Sequence, residues 1–287
     1  MAKRGRHRRG DGWGGTFPPG GPRSGRGSSP SGWAPVRGAV GGPAGLGPTA
    51  RDEPDLILDI RHLLRVGGPL DLLATVSSML SLVDPRSFDR LRLPPPGLGG
   101  PDELELETLL QSFLEVRVPE ATALLAALAA LAPDDRTRAW AAAEVARRGH
   151  HLPAWVGGLA HAEVHRAVRV SHVRGDADNV LVGVRLPPAH EITVSVHVDH
   201  DEGTVVTDCV VLPAGLVDVV RKLQGAIDDP GTQLDVLDLP DARARITRAV
   251  DNGAAAYPPV ETDDWPLLRP LVEWVVRLPD PGTLDGP

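Results

Sequence analysis

The stretch from Val180 to Leu212 constrains the fold more than any other part of the chain. Between Glu191 and Asp199 apolar and polar residues alternate, with Ile192, Val194, Val196 and Val198 set against Thr193, Ser195, His197 and Asp199. A period of two carried by β-branched residues marks a half-buried strand, because successive side chains point to opposite faces of a sheet. His197 and Asp199 therefore share the face away from the valines. The polar link His200-Asp201-Glu202-Gly203 reads as a hairpin, and Thr204 to Val211 as the returning strand. A loop of two or four residues puts Asp208 on the His197 face and sets Val205, Thr207 and Cys209 with the valines; a three-residue loop or a bulge reverses this. Val180 to Leu186 reads as the preceding strand and Ala167 to Arg174 as a fourth. The expectation is a three- to four-stranded antiparallel meander over residues 167–212.

Helical periodicity lies on both sides of it. Pro54 to Val66 and the segment from Pro69 to the residues before Asp84-Pro85 each carry one apolar stripe. Asp102 with Glu105 resembles a capping pair ahead of Leu106, Leu109, Leu110, Phe113 and Leu114, which keep helical spacing. Pro119 to Ala132 is Ala- and Leu-rich and reads as a buried helix. Asp134 to Arg148, with Trp140 as core anchor and Gly149 as stop, and Pro153 to Arg166 complete the helical half. After the meander, helices are expected over Pro213 to Leu223, from Pro240 to Gly253, and over Asp264 to Leu278 with a bend at Pro270. The segment between Leu223 and Leu239 reads as turns. The fold class is thus α+β, a helical N-terminal half and a small antiparallel sheet packed by flanking helices.

Residues 1–50 are Gly, Pro, Arg and Ser with few aliphatics, too little apolar surface to offset the entropy of ordering, and read as a disordered tail. Residues 51–278 read as one α+β domain, with 51–150 and 151–278 as possible sub-lobes, and 279–287 as a frayed end. The tail carries eight basic residues against Asp11, a balance of +7, so a net charge of −8 leaves −15 on the rest. Trp13, Phe17 and Trp33 are interleaved with those arginines, a pattern suited to single-stranded nucleic acid. The acidic body would repel a phosphate backbone, so any such partner is expected at residues 1–50 only.

Cys209 is the only cysteine, which excludes an intrachain disulfide and a CxxC zinc site and suits a reducing cytoplasm. No apolar run approaches the ~20 residues of a bilayer span, so no membrane association is expected. The basic N-terminus lacks the apolar segment of a secretory signal. Lysine occurs only at Lys3 and Lys222, with arginine elsewhere, and Ala, Gly and Pro are abundant, as in a GC-rich bacterial genome.

Eight of the ten histidines fall between His150 and His200. His161 and His165, four apart on an expected helix, have the spacing for one divalent transition metal. The segment His161-Ala-Glu163-Val-His165 is only superficially like a zinc-protease helix. Glu163 falls between the histidines on the far side of such a helix and cannot act as the base. His197, Asp199 and Asp208 on one sheet face form a second candidate metal set, and an Asp–His pair there is also suited to proton transfer. Ser195 shares that face but lacks a nucleophile-elbow context. No dinucleotide fingerprint, phosphate loop or EF-hand is present; Gly175-Asp-Ala-Asp-Asn179 lacks the calcium loop's glycine and distal glutamate. No catalytic residue and no organic cofactor is assigned. The expectation is a non-enzymatic interaction or regulatory protein with a protein partner, the alternatives being metal binding or metal-dependent hydrolysis at residues 150–200, and nucleic-acid association through the tail.

Overall fold

The computed structural model describes residues 53–84, 86, 106–256, 262 and 264–281. The expected tail over 1–50, the Asp102–Glu105 capping pair and most of the C-terminal residues lie outside them. The described elements run α1 (Glu53–Val66), α2 (Pro69–Leu82), α3 (Leu106–Glu115), α4 (Pro119–Leu131), α5 (Asp135–Arg148) and α6 (Ala154–Gly158), then a 3₁₀ turn (Leu159–His161). Four strands follow, β1 (Glu163–His172), β2 (Ala177–Leu186), β3 (His190–Asp199) and β4 (Val205–Leu212), then α7 (Leu216–Ala226), β5 (Thr232–Leu237), α8 (Leu239–Ala255) and α9 (Trp265–Arg277).

The helical half is built on α4. Its sequence is Ala- and Leu-rich, with Glu120 and Thr122 the only polar side chains, and a helix so apolar is stable only when surrounded. It packs against α1, α2, α3, α5, α6 and α9. Pro119 sits where a helix has no N–H partner to lose, and Leu124, Leu125 and Leu128 are fully buried. Helix α5 starts where Asp134 accepts from the Thr137 amide at 2.8 Å and ends at Gly149 with φ 60°, the left-handed stop glycine tolerates best. Its buried residues are Ala141 and Glu144, so Trp140, half-buried at the edge of the core, is not the anchor expected. Helix α9 continues through Pro270, with Ser77 of α2 donating to the Leu267 carbonyl at 2.7 Å and accepting from the Leu271 amide at 3.2 Å.

The sheet has five antiparallel strands in the order β4-β3-β2-β1-β5. Two expectations are corrected. Thr232–Leu237, read as turns, is the edge strand β5, whose Asp235 lies opposite Arg169 of β1 and accepts from it at 2.8 Å. The sixth helix stops at Gly158, and Glu163 to Arg166 belong to β1. Gly158 packs against the Pro187 carbonyl, and a β-carbon there would lie 1.8 Å from its oxygen. The close approach fixes the chain against the β2–β3 turn.

One face of the sheet carries the core. Val180, Val182 and Val184 of β2, Ile192, Val194, Val196 and Val198 of β3, and Val206, Cys209 and Val211 of β4 belong to one cluster of buried residues. That cluster extends through Ile246 and Val250 of α8 and Leu271 and Val275 of α9 to Leu124 and Leu128 of α4. Helix α7 covers part of the other face, where Leu216 sits directly over Gly183.

Candidate functional site

The outer sheet face gathers part of the expected polar set. His197 stands opposite Asp208 of β4 and Asn179 of β2, and its Nδ1 lies 3.2 Å from Asn179 Oδ1. The β3–β4 loop spans five residues, which alone would set Thr207 across from His197. A bulge between His197 and Val198 in the ladder adds one residue on β4 and restores Asp208 to that place. Cys209 accordingly faces the core opposite Val196, as expected, but Val205 stands opposite Asp199 rather than with the valines.

Each of these side chains has a local structural partner. Asp208 Oδ1 accepts from the Cys209 amide at 2.8 Å and from Thr262 Oγ1 at 3.1 Å. Asp199 Oδ1 accepts from the Glu202 amide at 2.9 Å and closes the hairpin loop. His200 Nε2 lies 3.1 Å from Asp178 Oδ2, and Asp178, itself buried, lies 4.0 Å from Arg169. Burial and, to a lesser degree, Asp208 push the Cys209 thiol pKa well up, so the group stays a protonated thiol at neutral pH.

His161 and His165 do not share a helix face. His161 ends the 3₁₀ turn and is exposed, whereas His165 lies on β1, in a bulge opposite Gly183. Helical spacing between them is absent because residues 163–172 pair as a strand with β2. His165 Nε2 is buried without a hydrogen bond, 3.9 Å from Glu191 Oε1. Among the described residues, no three His, Cys, Asp or Glu side chains are grouped to hold a metal ion. No helix among them is long and apolar enough to cross a membrane.

A concavity lies elsewhere in the helical half. A cleft of about 540 Å³ lies between α4, α5, the α6–3₁₀ segment and the end of α9. Ala126, Ala129 and Ala130 form one wall, and Ala142, Val145 and Ala146 the facing one. Small side chains on both helices leave the space between them unfilled. Trp274 and Leu278 come from the end of α9. The charged groups in its lining are Arg138 and Arg277, and the Asp135 carboxylate, which is not part of the lining, pairs with Arg138. The sequence signal for this cleft was the helical spacing of the small residues Ala142, Val145 and Ala146, with Arg138 one turn before them. Arg277, contributed by the far end of the chain, had no such signal.

Comparison with protein-family models, with curated proteins and with solved structures finds no match to this chain.

Proposed function

We propose that this chain is a non-enzymatic interaction or regulatory protein whose binding feature is the cleft between α4 and α5. The observation that carries the reading is the composition of its lining. Alanine, valine, leucine, glycine, tryptophan, proline and two arginines surround a space of about 540 Å³. A cavity of that size suits a small molecule or a short apolar segment. None of those residues is a nucleophile, a proton carrier near neutral pH or a metal ligand. Such a lining holds a ligand without transforming it. A change at the cleft would be passed on through α4, which touches most of the helical half, to a protein partner.

The test uses 1-N-phenylnaphthylamine, an uncharged probe whose fluorescence rises in apolar surroundings. Saturable enhancement is expected with the full chain. It should be lost in Ala146→Trp, which fills the cleft from an exposed helix position and should leave the melting temperature unchanged. No saturable enhancement, or equal enhancement in the variant, would reject the cleft as the binding feature.

A further inference from the structure

Arg138 and Arg277 converge on one atom. Arg138 Nη1 donates to the Ala132 carbonyl at 2.8 Å and to that of Pro133 at 3.0 Å. Arg277 Nη2 donates to the same Ala132 oxygen at 3.3 Å and to that of Leu131 at 3.1 Å. Ala132 and Leu131 are the C-terminal end of α4, whose partial negative charge holds two like charges together. Carbonyl dipoles are not full counter-charges. Of the acids nearby, Asp135 pairs with Arg138, and Glu273 pairs with Arg86 at 2.7 Å. Arg277 forms no ion pair of its own among the described residues, and its Nε and Nη1 make no hydrogen bond there. The polar end of the cleft therefore offers unused donors and excess positive charge beside an apolar trough.

We infer that the cleft takes a single-chain amphipathic carboxylate, its acyl chain between the alanine walls of α4 and α5 and its carboxylate against Arg138 and Arg277. The inference rests on the reading of the cleft as a binding feature and adds the class of ligand. Guanidinium donors match a carboxylate in geometry as well as charge. A neutral head group would leave those donors and the charge uncompensated. A peptide inserting only apolar side chains would do the same.

Decanoate and decanol, which differ only in the head group, are titrated calorimetrically into the full chain and into an Arg138→Gln/Arg277→Gln variant. The wild type should bind decanoate about tenfold or more tightly than decanol, the strength of one charge-assisted contact. That preference should vanish in the variant while decanol binding stays. Because both arginines also cap α4, the variant's melting curve is recorded. Ala142→Asp serves as a second variant, placing a carboxylate in the lining from an exposed position; it should weaken decanoate selectively. Equal binding of the two compounds by the wild type, or a preference that survives in both variants, would overturn the inference and leave the cleft reading intact. Binding of neither would overturn both.

Discussion

The imidazole of His165 lies so close over Gly183 that a β-carbon on the glycine would stand 2.9 Å from Nε2. Leu216 Cβ of α7 would be equally near, at 2.9 Å. The bulge in β1 turns the ring onto this spot, and the absence of a side chain on β2 lets both the ring and α7 reach the sheet. Gly183→Ala is expected to destabilise the fold by roughly 1–3 kcal/mol, the usual cost of overpacking a filled site. Urea unfolding checks this; an unchanged midpoint would mean that α7 moves off the sheet freely.

The same burial gives His165 a pH signature. Burial lowers its pKa below that of a free imidazole, Glu191 opposes the shift, and Arg185 and Arg166 add to it. The folded state therefore binds a proton less readily than the unfolded chain. Below an unfolded value of about 6.5 the unfolded state gains a proton that the folded state refuses, so stability falls on acidification and is fully present above that pH. His165→Phe should show a shallower loss of stability between about pH 7 and pH 5 than the wild type. Parallel curves for the two proteins would show that His165 does not contribute to the slope.

Arg148 fastens α5 to the end of α3. Its side chain is 2% exposed, pairs with Glu144 at 2.7 Å, and donates to the carbonyls of Phe113, Leu114 and Val116 at 2.8, 3.2 and 3.0 Å. Those oxygens are the unpaired acceptors at a helix C-terminus. Arg148→Met removes the donors and leaves several buried acceptors without partners. A loss of about 3 kcal/mol or more is expected, and hydrogen exchange should rise first in α3. Uniform exchange along the chain would place the loss elsewhere.

What was legible in the sequence depended on range. β3 and β4 were readable because Ile192, Val194, Val196 and Val198 alternate without interruption. β1 was misjudged at its start because His161 and His165 have helical spacing and alanines lie between and beyond them; strand pairing with β2 outweighs that local pattern. β5 was missed because six residues with only Leu234, Val236 and Leu237 apolar carry little signal, and their strand state comes from the ladder to β1. The facing of Asp208 was reached through an odd loop and a bulge that cancel. The cleft joins α4 and α5 to the end of α9, so no local pattern could disclose that Arg277 meets Arg138.

The contact of Ser77 with α9 allows a coupled prediction. Pro270 has no amide hydrogen, so the Pro266 carbonyl loses its partner four residues on, and the pyrrolidine ring crowds that turn. One residue further, Ser77 stands between the Leu267 carbonyl and the Leu271 amide, donating to one at 2.7 Å and accepting from the other at 3.2 Å. Ser77 is fully buried, so water cannot replace it. Ser77→Ala should therefore cost about 1–3 kcal/mol, the penalty for buried polar groups deprived of a partner. Pro270→Ala relieves the crowding and gives the Pro266 carbonyl a donor four residues on. In that background Ser77→Ala should cost less, with a coupling of about 0.5 kcal/mol or more between the two sites. Additive effects in a urea double-mutant cycle would show that the serine's bonds to α9 are independent of the proline.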